Sequence, residues 1–317
     1  MTALDPRLAG MRRVDGGRFL MGSDDHYPEE APRRPVRVDG FWIDQTPVTN
    51  REFAAFVDAT GHVTVAERAP DAALYPGADP ALLVPASACF QRQDRPVPLN
   101  DPFLWWALVP GADWRHPRGP DSAIFDLLDH PVVHIAYADA EAYAAWAGKA
   151  LPTEAEWECA ARAGCDTAYP WGEERDPGGR RVANYWQGGF PWQHPRLPGE
   201  ALTTAVGSFP PNAFGLIDMI GNVWEWTCDW YGTLDSAPPT SCCVPENPRG
   251  TTEAASRDAH DPAGFGRKVL KGGSHLCAEE YCRRYRPAAR YAQTVDSSTS
   301  HIGFRCVVRD METAAPR

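Results

Sequence analysis

Leu151-Pro152-Thr153-Glu154-Ala155-Glu156-Trp157-Glu158 is the stretch on which the reading of this chain turns. Thr153 followed three residues later by Glu156 is a capping box, so a helix is expected to start at Thr153, and Gly164 is placed to end it. Glu154, Glu156 and Glu158 then read as capping and surface charge in preference to a catalytic carboxylate cluster. Just upstream, a second helix is expected from about Asp139 to Trp146, with Tyr143 and Trp146 on one face and Gly148 as terminator. Further back, Thr49-Asn50-Arg51-Glu52 is another capping box. Phe53, Phe56 and Val57 follow at i, i+3, i+4 spacing, and Gly61 suits the C-terminal cap.

Beyond these helices, 31 prolines and 27 glycines interrupt the chain, and stretches such as Val36-Arg37-Val38 and Val269-Leu270-Lys271 are short strands at most. Twelve tryptophans spread along the sequence imply a core of aromatic side chains packed among loops. Pro70 to Asp121 and Ser236 to Gly266 look like surface excursions, and no internal repeat is visible. One domain over residues 11–309 is expected, with 1–10 and 310–317 as flexible termini. At 43% hydrophobic and 23% charged residues the chain can bury a substantial core. A net charge of −11 and a pI near 5.3 argue against nucleic-acid or anionic-membrane partners. No apolar run approaches the roughly 20 residues of a membrane span, and Met1 to Arg7 lacks the apolar core of a secretory signal. A soluble, cytoplasmic protein is expected.

Nine cysteines are present. Two of them, Cys277 and Cys282, lie in Lys271-Gly272-Gly273-Ser274-His275-Leu276-Cys277-Ala278-Glu279-Glu280-Tyr281-Cys282-Arg283-Arg284-Tyr285-Arg286. Their spacing fits neither a CxxC motif nor a zinc knuckle. A helix or a strand would point them apart, so they converge only from irregular backbone, which Gly272-Gly273 permits. Nearby arginines favour a thiolate. On spacing alone a structural disulfide or two buried free thiols is the better reading, and a reactive pair the sharper one.

From Gly272 to Cys306 the run GGSHLCAEEYCRRYRPAARYAQTVDSSTSHIGFRC closely resembles the C-terminal signature of the formylglycine-generating enzymes, or sulfatase-modifying factors. Gly16 to Gly22, Thr46 to Asn50, His130 to His134, Trp146 to Lys149, Leu151 to Glu158 and Gly221 to Trp226 follow in that family's order, so the resemblance runs from about Val14 to Val308. It implies an α+β, C-type-lectin-like fold poor in regular structure. The LPTEAEWE and GNVWEW segments recur across the wider superfamily and report fold more than chemistry. The cysteine pair within GGSxxCxxxYCxRYR marks the enzymes themselves.

The resemblance implies that Cys277 and Cys282 hold copper(I) as paired thiolates, for which soft sulfur ligands are suited. Ser274, Trp224 and Tyr281 match residues of the oxygen-side pocket. Dioxygen is the implied co-substrate. The implied partner is an unfolded sulfatase polypeptide whose Cys-x-Pro-x-Arg cysteine is converted to Cα-formylglycine, with the enzyme acting as a monomer. Asp218 and Glu225 by side chain, with Gly221 and Val223 by carbonyl, match a structural calcium site. Asn184, the Tyr185 carbonyl and Glu200 are candidates for a second calcium, although the matching aspartate falls at Pro198. Cys306 matches a disulfide cysteine of secretory relatives, but its partner position falls near Tyr143-Ala144, so a buried free thiol is expected. His130, His134 and His275 are isolated histidines, and no iron is assigned. The rival readings are a non-catalytic lectin-like or peptide-binding module, which would not need the thiol pair, and an iron-type sulfoxide synthase, whose histidine-bearing helical domain has no counterpart here.

Overall fold

The computed structural model describes residues 5–197, 200, 202–234, 244–261 and 263–310. Its first strands are β1 (Met11–Val14), β2 (Gly17–Met21), β3 (Arg34–Val38) and β4 (Phe41–Asp44), followed by α1 (Asn50–Thr60). Next come β5 (Ala86–Phe90), β6 (Trp106–Pro110), α2 (Tyr137–Trp146) and α3 (Glu154–Arg162). The C-terminal part holds β7 (Trp224–Trp230), the single turn α4 (Glu253–Ser256), β8 (Arg267–Lys271), β9 (Arg290–Thr294), β10 (Ile302–Gly303) and β11 (Val307–Arg309). One sheet, ordered β1-β4-β11, ties the two ends of the chain together. A second, ordered β10-β7-β8-β9, carries β8 directly into Gly272-Gly273. The pairs β2-β3 and β5-β6 complete the pattern.

The local signals decide the helices. In α1 the Thr49 Oγ1 accepts from Glu52 N at 3.3 Å while Thr49 N donates to Glu52 Oε2 at 2.8 Å, and Gly61 closes the helix at φ 68°. Phe53, Phe56 and Val57 are buried as their spacing requires. α2 begins two residues before the expected Asp139, because that side chain reaches back to the helix start and accepts from Ala136 N at 3.1 Å. α3 starts at the Thr153 cap, but Ala163 rather than Gly164 takes the first left-handed position, at φ 49°.

The α3 glutamates correct the surface-charge reading. Glu154, Glu156 and Glu158 are 4%, 8% and 1% exposed, and each is a hub for a distant cation. Glu154 pairs with Arg290, Glu156 with Arg309, and Glu158 with Arg162 and Lys271. Burial of carboxylates on a helix packed under two sheets is tolerated because every one is ion-paired. Above them the core is aromatic, as the tryptophan content implies. Phe53, Trp114, Tyr143, Trp157, Trp226 and Phe304 belong to one large cluster, and Trp105, Trp186, Phe190 and Leu276 to a smaller one.

The segment Pro70 to Asp121 is more than a surface excursion. It pairs β5 with β6 and buries Trp105 and Trp114, both 1% exposed, where their apolar area leaves water. Residues 235–243 and 262, within or beside the second expected excursion, lie outside the described residues, as do Cys242 and Cys243. The seven described cysteines are free thiols, and Cys306 is fully buried. Of the expected flexible ends, 1–4 and 311–317 lie outside the described residues. Pro6–Leu8 forms a 3-10 turn capped by Asp5, and Gly10 O accepts from Gln45 N at 3.1 Å. No described helix is long and apolar enough to cross a membrane.

Candidate active site

Where β8 ends, Gly272 at φ 93° and Gly273 at φ 72° turn the chain out of the sheet. At Gly273 a Cβ would meet the Arg284 carbonyl oxygen at 2.7 Å, so glycine is needed for the two arms of the loop to touch. That closure brings Cys277 Sγ to 3.3 Å from Cys282 Sγ, the convergence that irregular backbone was expected to allow. Cys282 N donates to Ala278 O at 2.8 Å and Ser274 N to Cys277 Sγ at 3.4 Å, fixing both arms.

The two sulfurs are unequal. The hydrogen bond donated by Cys277 draws the Cys282 thiol down to about 7, against the upward push of burial and with help from Arg284, whose Nη1 lies 3.8 Å from the sulfur. Cys277, fully enclosed, is pushed well up by burial, and its S–H bond to Cys282 adds to the effect. Cys282 is therefore the sulfur that ionises first, near neutral pH, while Cys277 keeps its proton. Arg284 is itself held by Glu29 at 2.6 Å and lies over the Tyr27 ring.

The pair opens on a groove of about 1150 Å³. Trp105, Phe190, Trp224, Tyr281 and Tyr291 wall it with rings, and Ser274 also lines it. Tyr281 stacks on Phe190 at 4.7 Å between centroids, and Trp224 tilts against Tyr291 at 5.9 Å. Ser274 Oγ accepts from Leu276 N at 3.2 Å, which holds the turn before Cys277. The five expected catalytic residues, Ser274, Cys277, Cys282, Trp224 and Tyr281, therefore line one groove. Sequence reasoning missed Trp105 and Phe190. They come from segments far along the chain, and one aromatic ring among many carries no local signal.

Residues 2–310 match the family described as the sulfatase-modifying factor enzyme 1-like domain. The chain belongs to that family. It is 54% identical over 296 residues to the formylglycine-generating enzyme of Mycobacterium tuberculosis, covering 93% of this chain and 96% of that one. It is 42% identical to the Mus musculus formylglycine-generating enzyme over 97% of this chain and 77% of that one. The inactive Cα-formylglycine-generating enzyme 2 of Mus musculus is also similar, at 37% identity over 96% of this chain and 86% of its own. Among solved structures, PvdO from Pseudomonas aeruginosa superposes with a TM-score of 0.57 at 24% identity, covering 94% of this chain and 93% of that one. That likeness speaks for the α+β fold alone, the one expected for a sulfatase-modifying factor.

In this family member the Asp218–Glu225 turn tests the expected calcium set. Asp218 sits at φ 53°, and its buried Oδ1 has no hydrogen-bond partner among the described residues. Burial and the nearby Glu225 raise its carboxyl to about 6, with Arg305 acting the other way. An orphaned buried carboxylate oxygen in a strained turn fits a hard cation. Glu225 is already bound by Arg305 at 2.7 and 2.8 Å and by Trp157 Nε1 at 2.7 Å, so it would share its charge between the guanidinium and the ion. A Cβ on Gly221 would lie 2.3 Å from Asn184 O, so glycine is required for that close pass. Among the described residues the second calcium set shows no comparable orphaned side-chain oxygen. Asn184 gives its amide N–H groups to Leu202 O and Asn222 Oδ1, and the Tyr185 carbonyl accepts from Gln187. Glu200 is exposed and closes a turn on Leu197 N, so no hydrogen bond joins the three.

Two close thiols with no third ligating side chain fit copper(I), which accepts low coordination by soft sulfur. Among the described residues no group of three or more His, Cys, Asp or Glu side chains could hold a metal.

Proposed function

We propose that this formylglycine-generating enzyme oxidises a sulfatase cysteine with dioxygen at a copper(I) ion held by Cys277 and Cys282. The observation that supports it is the 3.3 Å thiol pair at the aromatic groove. An inactive relative shares the scaffold, so scaffold alone does not decide activity and the pair carries the argument. The proposed substrate is an unfolded polypeptide presenting Cys-x-Pro-x-Arg, the enzyme acting as a cytoplasmic monomer with a structural calcium at the Asp218 turn.

The balance of the reaction sets what the site must do. Converting a cysteine to an aldehyde consumes one dioxygen, two protons and two electrons from an added thiol reductant, and releases hydrogen sulfide and water. Bound copper(I) supplies dioxygen activation. Cys282, the sulfur that ionises first, and Cys277, which gives up its proton on binding the ion, would provide the two anionic sulfurs. Trp224 and Tyr281 line the groove that opens on the sulfurs, where their apolar rings would limit the access of bulk water to the reacting oxygen. Ser274 keeps Cys277 in place through the turn it closes.

Anaerobic titration of the reduced protein tests the ligand set. One equivalent of copper(I) is expected to bind against a competing chelator, and Cys277→Ser and Cys282→Ser should each abolish that binding. Tight stoichiometric binding retained by either variant would overturn the two-thiolate site.

A further inference from the structure

His134 is fully buried and holds a left-handed backbone at φ 61°, a conformation that side-chain-bearing residues adopt only when their surroundings impose it. Its N–H donates to Thr299 O at 2.8 Å. Both ring nitrogens are engaged. Nε2 lies 2.9 Å from Pro117 O, and Nδ1 lies 2.7 Å from Ser87 Oγ. Ser87 Oγ in turn lies 2.8 Å from Ser298 Oγ, and both serines line the groove that holds the thiol pair.

The proton count along this chain is fixed by its far end. A carbonyl oxygen only accepts, so Nε2 carries the proton and Nδ1 of the neutral ring is a bare acceptor. Burial keeps the ring neutral, pushing it down to about 4. The one Ser87 hydroxyl proton has three acceptors in reach, His134 Nδ1 at 2.7 Å and both Ser298 O and Ser298 Oγ at 2.8 Å. The Ser298 carbonyl already accepts from Ala88 N at 3.1 Å, and the imidazole nitrogen is the stronger base. Ser87 therefore donates to the ring, and Ser298 donates its hydroxyl proton to Ser87. The chain runs one way, from Ser298 through Ser87 and His134 to Pro117.

We infer that His134 is a positioning residue which polarises the Ser87–Ser298 pair, so that Ser298 Oγ presents only lone pairs to the groove and accepts an N–H donor of the bound polypeptide. Ser87 is 1% exposed and Ser298 9%, so Ser298 is the one that meets the ligand. The surrounding backbone is braced for this. Ser300 N donates to Ala88 O, and Thr299 forms a parallel bridge with Ala88, locking residues 298–300 against β5. The inference rests on the groove being the polypeptide site.

The test measures the dissociation constant of a fluorescent Cys-x-Pro-x-Arg peptide on metal-free protein, alongside turnover and melting temperature. His134→Asn keeps an acceptor near the Nδ1 position and tolerates the left-handed backbone, so its affinity should stay within about threefold of wild type. His134→Gln and Ser87→Ala should each weaken binding about tenfold, the scale of one misdirected hydrogen bond, and the double variant no further. Ser87→Ala is a small change that keeps the test open should His134→Gln fold poorly. Variants that melt earlier yet bind the peptide as wild type does, or losses that multiply in the double variant, would overturn the inference. Wild-type turnover combined with such a result would leave the proposed function standing.

Discussion

Replacing Lys271 with methionine should destabilise the protein by about 3 kcal/mol. Lys271 is fully buried at the end of β8, with Nζ 2.9 Å from Glu158 Oε2, 3.3 Å from Ala288 O and 3.6 Å from Glu154 Oε1. Methionine fills similar space but leaves Glu158 Oε2 without its donor. Arg162 and Gly22 N both bind Oε1, so they rescue only part of the charge. Removing one member of a buried pair costs about 3–5 kcal/mol, and the remaining arginine places this case at the lower end. With an unfolding entropy of about 2.1 cal/mol/K per residue, a chain of this length should lose about 4–5 °C of melting temperature at pH 7. Burial pushes the Glu158 carboxyl up, but Lys271 and Arg162 outweigh it and hold it below its ordinary value. A depressed folded-state value contributes stability above the unfolded value of about 4.3 and loses it as pH falls through the folded one. The gap between wild type and Lys271→Met should therefore narrow in acid. Thermal unfolding from pH 7 down to pH 3.5 is the assay. A drop below about 1 °C at pH 7, or a gap that ignores pH, would refute the reasoning.

Two further outcomes follow from the site. Alkylation of metal-free, reduced protein by iodoacetamide should fall first on Cys282 and reach half its plateau near pH 7, with Cys277 slower throughout; peptide mapping that finds Cys277 modified first would contradict the asymmetry. Chelation should lower the melting temperature, calcium should restore it, and Asp218→Ala should make the protein indifferent to both. Glu225→Ala is a poorer probe, because it strands the buried Arg305 whatever the ion does.

The features legible in the sequence were those written locally. Capping boxes at Thr49 and Thr153 place two helices because cap and partner are three residues apart. The meeting of Cys277 and Cys282 follows from Gly272-Gly273, and the residues at the pocket follow from the resemblance. What failed was written across distance. Glu154 reads as a surface acid until Arg290, 136 positions away, is brought to it. Trp105 and Phe190 look like any other rings until both pack against Tyr281 at the edge of the groove. The His134 chain joins segments 47 and 211 positions apart, and no spacing rule reaches that far.

The central claim is that the two thiols perform the oxidation, and mass spectrometry of a Cys-x-Pro-x-Arg peptide tests it most directly. After incubation with protein, copper, thiol reductant and air, the target cysteine should appear as the aldehyde of formylglycine. Cys277→Ser and Cys282→Ser, folded to the wild-type melting temperature, should each leave the peptide unchanged. Formylglycine produced by either variant at near wild-type rate would contradict the claim.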